Sequence, residues 1–233
     1  MRPTPDTRPH ALPDALARER RFRLPARTTT GVLLLFYAVG GALYLVEPTR
    51  DLFRSLIPAS LVLSFALVLL HQDVRNIRLG LAFALVWLFT FGVEVAGVAT
   101  GRLFGSYAYG PALGPHVLHT PVLIGLNWLI LLYGTASLTH PLQKRPILQV
   151  LAGAGAMVAY DLLLEIMAPP MHMWSFDHTY PGPLNFLMWF LVGATLHAFL
   201  RVLRIRIDNG PARSLFVIQF AFFALLSLHH LLT

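Results

Sequence analysis

Seven apolar runs follow one another along the chain, and each approaches the roughly 20 residues that a helix needs to cross a bilayer. They cover residues 30–46, 54–70, 79–99, 120–138, 146–168, 183–200 and 213–231. The pattern predicts an all-α fold: a polytopic membrane helix bundle of about seven transmembrane helices, with residues 30–233 as a single domain. The limits of the first two spans are the least sharply marked.

The residues before the first run have a different composition. Residues 1–29 are rich in Arg and Pro and show no apolar period, which predicts a disordered tail. A signal peptide formed by this tail and the first run is the alternative interpretation. The charged region is long for a signal peptide and no clear cleavage site follows it, so the disordered tail is favoured.

The distribution of cationic residues predicts the orientation of the bundle, because Lys and Arg collect in cytoplasmic loops. All but three of the 18 Lys and Arg residues lie in the tail or in loops on the tail's side of the membrane. The three exceptions are Arg50, Arg54 and Arg102. The N-terminus is therefore predicted to be cytoplasmic, and we expect an integral protein of a bacterial or archaeal cell membrane.

Composition agrees with a membrane location and excludes several classes of function. Charged residues make up 12% of the chain, about half the share in soluble domains. The net charge of +7 would suggest nucleic acid in a soluble protein, but the topology accounts for it here, and no nucleic-acid partner is expected. The absence of cysteine excludes disulfides, Cys-ligated zinc, iron–sulfur clusters and thiol nucleophiles.

Three carboxyl groups lie inside predicted spans, where a charge costs about 2.5–3.5 kcal/mol even on the lenient insertion scale. They belong to Glu94 in the third span and to Asp161 and Glu165 in the fifth. Counting about 1.5 Å per residue from the cytoplasmic helix ends places Glu94 and Asp161 at a similar depth in the outer half of the membrane. Asp161 and Glu165 are four residues apart and share a helix face.

The fourth and sixth spans supply polar and aromatic partners at the same depth. Asn127 and Trp128 lie about two turns from the outer end of the fourth span, and Asn185 and Trp189 share a face of the sixth. The sequence therefore predicts one polar layer to which four helices contribute, and in it we expect Asn127, Trp128, Asn185 and Trp189 to bind substrate.

The outer loops at residues 100–119 and 169–182 are rich in Gly, Pro and aromatic residues. We expect them to cover the polar layer, with Tyr107, Tyr109 and Trp174 binding substrate. The alternative is that these aromatic residues are interfacial anchors. Likewise, Asn127 or Asn185 could form an interhelical hydrogen bond, a carboxyl group could pair with Arg102, and Gly97 could be a helix-packing position.

A group of carboxyl and aromatic side chains within a bilayer suits acid–base chemistry on an apolar molecule. Carboxyl groups in a low-dielectric environment favour the neutral acid, which can donate a proton while an ionised neighbour accepts one. Aromatic faces stabilise a transient cation. Addition of water to an isoprenoid double bond needs an acid, a cation-tolerant wall and a base that holds water.

Two blocks of the chain carry specific motifs. The first block is Glu94-x-x-Gly97-x-x-Thr100-Gly101, Phe104-Gly105-x-Tyr107-x-Tyr109, Leu113-Gly114 and Pro121-x-x-Ile124-x-x-x-Trp128. The second is Asp161-x-x-x-Glu165, Trp174, Gly182-x-x-Asn185-Phe186 and Trp189. Both blocks resemble the carotenoid biosynthesis hydratase family, the carotenoid 1′,2′-hydratases, and the resemblance covers about residues 79–200. The chain departs from the family pattern at Ile166, which follows Glu165 where proline is frequent.

The resemblance implies hydration of the terminal double bond of an acyclic carotenoid end group to a tertiary alcohol, without a cofactor or metal. The substrate, which would lie within the bilayer, would resemble γ-carotene, lycopene or a longer C50 precursor. In this hypothesis Asp161 or Glu165 supplies the proton, and Glu94, with Tyr107 or Asn185, positions the attacking water. Other enzymes of the carotenoid pathway are candidate partners.

Four other functions compete with hydration. A retinal-type photoreceptor needs a lysine in the last span, whereas Lys144, in an inside loop, is the chain's one lysine. A di-iron hydroxylase needs repeated His clusters, and only His116/His119 and His229/His230 approach one. A membrane lycopene cyclase shares the protonation step and is the closest alternative. A transporter or carrier also stays open, although the two halves of the chain show no internal repeat.

Overall fold

Seven α-helices follow one another through the chain in the computed structural model, which describes residues 24–72, 77–178 and 180–233. They are α1 (Ala26–Leu45), α2 (Arg50–Leu69), α3 (Ile77–Thr100), α4 (Ile124–Leu138), α5 (Pro146–Met167), α6 (Pro183–Val202) and α7 (Gly210–Leu232). Six of these described helices are long and apolar enough to cross a membrane; α4, with 15 residues, is shorter. The prediction of an all-α polytopic membrane bundle is confirmed.

The first helix begins earlier than the first apolar run. Residues 1–23 of the predicted tail lie outside the described residues, and α1 starts at Ala26, inside the range assigned to the tail. Three threonines lower the hydropathy at residues 28–30. Thr29 is nevertheless fully buried, and its hydroxyl lies 2.8 Å from Nε2 of His71. A threonine whose hydroxyl has a partner fits a helix inside a membrane bundle.

Helix α4 lies at the centre of the bundle. Thirteen of its 15 residues are buried, and it contacts α2, α3, α5, α6 and α7. Glycines allow this close approach. A Cβ at Gly125 would lie 2.7 Å from Cδ1 of Trp87 in α3, and one at Gly134 would lie 2.8 Å from Cβ of Phe216 in α7.

The fourth apolar run is shorter as a helix than the sequence predicts. The run was expected to be helical over residues 120–138, but the helix begins at Ile124, and Thr120 and Pro121 form a strand instead. Pro121 has no N–H and cannot continue a helix ladder. A helix of 15 residues is about 22 Å long, less than the roughly 30 Å of a hydrocarbon core. Non-helical backbone therefore completes this part of the bundle.

Two loops fold over the end of the bundle opposite the predicted cytoplasmic side, here called the outer end. They contain four short strands, β1 (Tyr107–Tyr109), β2 (His116–Val117), β3 (Thr120–Pro121) and β4 (Trp174–Phe176). β1 pairs antiparallel with β4, and β2 with β3. The β1–β4 ladder joins the loop before α4 to the loop after α5, so that the two loops form one cover. The sequence patterns did not predict these strands.

We expect the substitution Gly134→Ala to lower the thermal unfolding temperature of the protein in detergent. Its Cβ would meet Phe216 at 2.8 Å and the backbone oxygen of Ala212 at 3.2 Å, and overpacking of this kind costs about 1–3 kcal/mol. Gly155→Ala is the matched control, because a Cβ at Gly155 meets nothing within 4 Å. Equal effects of the two substitutions would contradict close α4–α7 packing as a source of stability.

Candidate active site

The carboxyl group of Glu94 is buried and accepts hydrogen bonds from three side chains. Its Oε2 accepts from the hydroxyl groups of Tyr107 at 2.6 Å and Tyr109 at 2.8 Å. Its Oε1 accepts from Nε1 of Trp128 at 2.7 Å. Three donated hydrogen bonds offset much of the cost of a buried negative charge, so the arrangement suits an ionised carboxylate. α3, β1 and α4 thus meet at Glu94.

The Glu-x-x-Gly spacing explains how β1 reaches Glu94. Gly97 lies one turn after Glu94 on the same face of α3, and a Cβ there would come within 2.8 Å of both Phe104 Cδ2 and the Tyr107 hydroxyl. The chain then turns through Gly101 and Gly105, whose φ angles are +63° and +102°, a region that glycine occupies readily. The glycines therefore serve loop packing here, not helix–helix contact.

Tyr107 and Tyr109 keep their protons as donors to Glu94. Burial raises the pKa of both hydroxyl groups, and the neighbouring Glu94 charge raises it further. Neither tyrosine therefore competes with Glu94 as an anion at physiological pH.

The second pair of carboxyl groups lies around one amide. Nδ2 of Asn185 donates to Oδ2 of Asp161 at 2.8 Å and approaches Oε1 of Glu165 at 3.4 Å. Nε1 of Trp174 donates to Oε2 of Glu165 at 2.9 Å. Asp161 is completely buried, and its Oδ1 has no hydrogen-bond partner among the described residues. This pair has fewer donors per carboxyl group than Glu94, so holding a proton is easier here than at Glu94.

Aromatic rings connect the two carboxyl centres. The rings of Trp128 and Trp189 stack with centroids 4.0 Å apart. Tyr109 meets Trp174 edge to face at 5.9 Å. Tyr109 and Trp128 donate to Glu94, and Trp174 donates to Glu165. Trp174 and Trp189 also line a small cavity between the two centres, and aromatic rings beside a cavity can stabilise a cation.

A small cavity lies between the carboxyl centres. Its volume of about 20 Å³ fits one water molecule. Glu94 and Glu165 both line it, together with Tyr107, Tyr109 and Asn185. A water molecule here would have polar partners from both centres.

A second, larger cavity of about 380 Å³ adjoins the first. Trp174 lines both. The wall of the larger cavity is predominantly apolar and comes from α1, α2 and α7, with Asn127 of α4 and Tyr160 of α5 on its inner side.

The comparison with protein families agrees with this combination of buried carboxyl groups and apolar space. Residues 55–232 match a family described as "Carotenoid biosynthesis protein", which is most of the chain. The chain belongs to this family.

One curated relative of this chain is bisanhydrobacterioruberin hydratase from Haloarcula japonica. The two are 26% identical over 216 residues, covering 81% of this chain and 69% of the relative. No solved structure matches the chain.

Ten side chains were predicted from the sequence to be catalytic or substrate-binding. The structure brings nine of them into one cluster. They are Glu94, Tyr107, Tyr109, Trp128, Asp161, Glu165, Trp174, Asn185 and Trp189. Asn127 lies apart and lines the larger cavity. Consecutive residues of a helix point about 100° apart, so Asn127 and Trp128 share a depth but not a face. Roles in catalysis or substrate binding stay predictions for all ten.

Sequence reasoning missed three side chains of the small cavity: Phe104, Ile124 and Phe176. Phe104 and Ile124 lie within the quoted family motifs, so their spacing offered a signal. Phe176 lies two residues after Trp174, and this alternation places both on one side of β4. Its pairing opposite Tyr107 is a long-range contact that no local pattern indicates.

Two of the alternatives can be compared with the structure. Arg102 is exposed, and the ion pairs of the described residues involve Asp51 and Asp208, not the three buried carboxyl groups. The alternative of a pair between one of these carboxyl groups and Arg102 is therefore not found among the described residues. Within the described part of the chain, no three His, Asp or Glu side chains are grouped to hold a metal ion.

We expect Trp128→Phe to destabilise the protein more than Trp87→Phe. Phenylalanine keeps an aromatic ring against Trp189 but removes the donor to Glu94, and a hydrogen bond to a charged group contributes about 1.5–3 kcal/mol. Trp87 is the matched control, since it stacks on Phe91 and its indole N–H has no hydrogen bond among the described residues. Thermal unfolding in detergent measures the difference.

A double-mutant cycle tests whether this effect passes through Glu94. In a Glu94→Gln background the added cost of Trp128→Phe should be smaller, because the charge that the indole serves is gone. An unchanged cost would show that Trp128 acts through ring packing alone.

Proposed function

We propose that the protein is a cofactor-independent carotenoid hydratase, a hydro-lyase that adds water across the terminal C1′–C2′ double bond of an acyclic carotenoid end group. The observation that carries this proposal is that Glu94 and Glu165, in different hydrogen-bond environments, line one water-sized cavity beside a large apolar cavity. Family membership and the hydratase relative support the same reaction. The product is a tertiary alcohol.

The first step is protonation of the double bond by the Asp161/Glu165 pair. Two carboxyl groups around one amide share a proton more readily than they hold two negative charges. The proton forms a new C–H bond at C2′, and the π electrons of the alkene form that bond. C1′ becomes a tertiary cation, and the rings of Trp174 and Trp189, which line the small cavity, stabilise it.

The second step is capture of the cation by water. A water molecule in the small cavity attacks C1′ and forms the C–O bond, while Glu94 takes one of its protons. Return of that proton from Glu94 to the Asp161/Glu165 pair, through the cavity that Glu94 and Glu165 share, restores the starting state. Overall, one alkene and one water molecule give one alcohol, and the reaction needs no electron acceptor or donor.

The proposed substrates have an acyclic ψ-type end group, as in γ-carotene, lycopene or a longer C50 precursor. Such molecules dissolve in the bilayer, so the proposal places the enzyme in the cell membrane of a bacterium or archaeon. Other enzymes of carotenoid synthesis are its proposed partners.

Expression in cells that accumulate lycopene tests the reaction. We expect the extracted pigment to gain the mass of one water molecule for each hydrated end. A pigment of unchanged mass but altered retention would indicate cyclisation instead, and a gain of one oxygen atom would indicate oxygenation. Either result would overturn hydration.

Substitution of the carboxyl groups tests their roles in that assay. We expect Asp161→Asn and Glu94→Gln each to lower the hydration rate by about 10²–10⁴-fold, the usual contribution of a general acid or base. Asp177→Asn is the matched control, because Asp177 is an exposed carboxyl of the same outer end, and it should retain full activity. Full activity of Asp161→Asn would refute the assignment of the proton donor pair.

A further inference from the structure

The larger cavity is much bigger than one water molecule, and the proposed addition of water does not by itself explain its size or its apolar wall. It extends from Trp174 along the inner faces of α1, α2 and α7, and its volume of about 380 Å³ lies in the usual range for ligand sites. We call it the chamber. Its wall is almost entirely apolar, which suits a hydrocarbon and not a sugar or a nucleotide.

The chamber opens to the side of the bundle that faces lipid. Val39 of α1 and Leu56 and Leu63 of α2 line the chamber and are also exposed on the bundle surface. Small residues, Gly40 on α1 and Ala59 on α2, lie along the same wall. A hydrophobic molecule can therefore enter between α1 and α2 directly from the bilayer without crossing water.

Two polar side chains of the chamber wall are hydrogen-bonded to each other. Nε2 of Gln219 donates to the Tyr37 hydroxyl at 2.7 Å, and that hydroxyl also lies 3.1 Å from Oγ of Ser64. These contacts satisfy the Tyr37 hydroxyl and the Gln219 amide nitrogen without a polar group from a ligand. Oε1 of Gln219 is buried and has no partner among the described residues.

Trp174 lies between the chamber and the candidate active site. It lines both the chamber and the small cavity, and its N–H donates to Glu165. A chain in the chamber therefore has its inner end against Trp174, one side chain away from Glu165. The remainder of a long chain would extend through the opening into the lipid.

We propose that the chamber binds the hydrocarbon chain of an acyclic polyene, which enters laterally between α1 and α2 and presents its end group past Trp174 to the carboxyl centres. This inference rests on the proposed function for the identity of the chain. It also makes α1 a specificity element. Its residues Phe36, Tyr37 and Gly40 line the chamber, so their size limits which chain fits there.

Chamber-filling substitutions test the proposal. Gly40→Leu and Ala59→Phe put large side chains into the chamber wall. Gly31→Leu on α1 and Ala66→Phe on α2 are matched controls, because both positions are exposed and neither lines the chamber. The proteins are purified from lycopene-accumulating cells, and lycopene retained per protein, pigment mass and thermal unfolding temperature are measured.

Retention is measured in an Asp161→Asn background so that the bound chain is not consumed. We expect the chamber variants to retain at least about tenfold less lycopene, which corresponds to about 1.4 kcal/mol, and to lose hydration when Asp161 is present. The controls should match the parent protein. Thermal unfolding temperatures close to the parent's show that the bundle is intact.

The outcomes separate this inference from the proposed function. If the chamber variants retain and hydrate lycopene like the parent protein, the proposal that the chamber binds the polyene is overturned, and the proposed hydratase function is unaffected. If the chamber variants lose lycopene but the parent protein adds no water to it, polyene binding in the chamber is supported and the hydratase function is overturned. Retention of membrane phospholipid but no lycopene would assign the chamber to an acyl chain and overturn the polyene.

Discussion

The buried carboxylate of Glu94 and its three donors determine how the outer end of the bundle is built. A carboxylate at this depth is costly without hydrogen bonds, and α3 itself offers no donor to it. The donors come from β1 and α4, so the loop between α3 and α4 must descend to the level of Glu94. Irregular backbone at membrane depth is tolerated where protein covers it, and the β1–β4 ladder and the surrounding helices provide that cover. The short length of α4 follows, because the loop occupies the outer part of its span.

The two carboxyl centres differ in a way that suits division of acid and base roles. Glu94 accepts from three donors, whereas Asp161 and Glu165 share the amide of Asn185. The indoles of Trp128 and Trp174 each donate an N–H to a carboxyl group, and Trp174 also lines the small cavity. Preorganised groups of this kind act where charge develops during a reaction and need no reorganisation at that moment. Loss of one indole N–H would therefore change the electrostatics of the site as well as its packing.

The placement of the apolar chamber beside these centres would separate the two reactants of the proposed hydration. The chamber is lined by residues of α1 and α2 that are exposed on the bundle surface, whereas residues of the outer loops line the small cavity. Trp174 stands between them. This separation matters for a hydration enzyme, because a cation formed in open water or in open lipid would be captured or would lose a proton without control.

The sequence by itself determined the helical class, the approximate spans, the predicted orientation and the depth of the polar residues. Each of these depends on local hydropathy, on the position of charges and on residue counts along a helix, and these quantities alone assign Glu94, Trp128, Asp161 and Asn185 to one level. Only the tertiary structure decided which faces meet. Trp128 turns toward Glu94 while Asn127 turns toward the chamber, and Tyr107 comes to lie opposite Phe176 across 69 residues of chain. Helix rotation and loop path depend on close contacts such as Gly97 against Tyr107 and Gly134 against Phe216, and those contacts join residues that no local pattern relates.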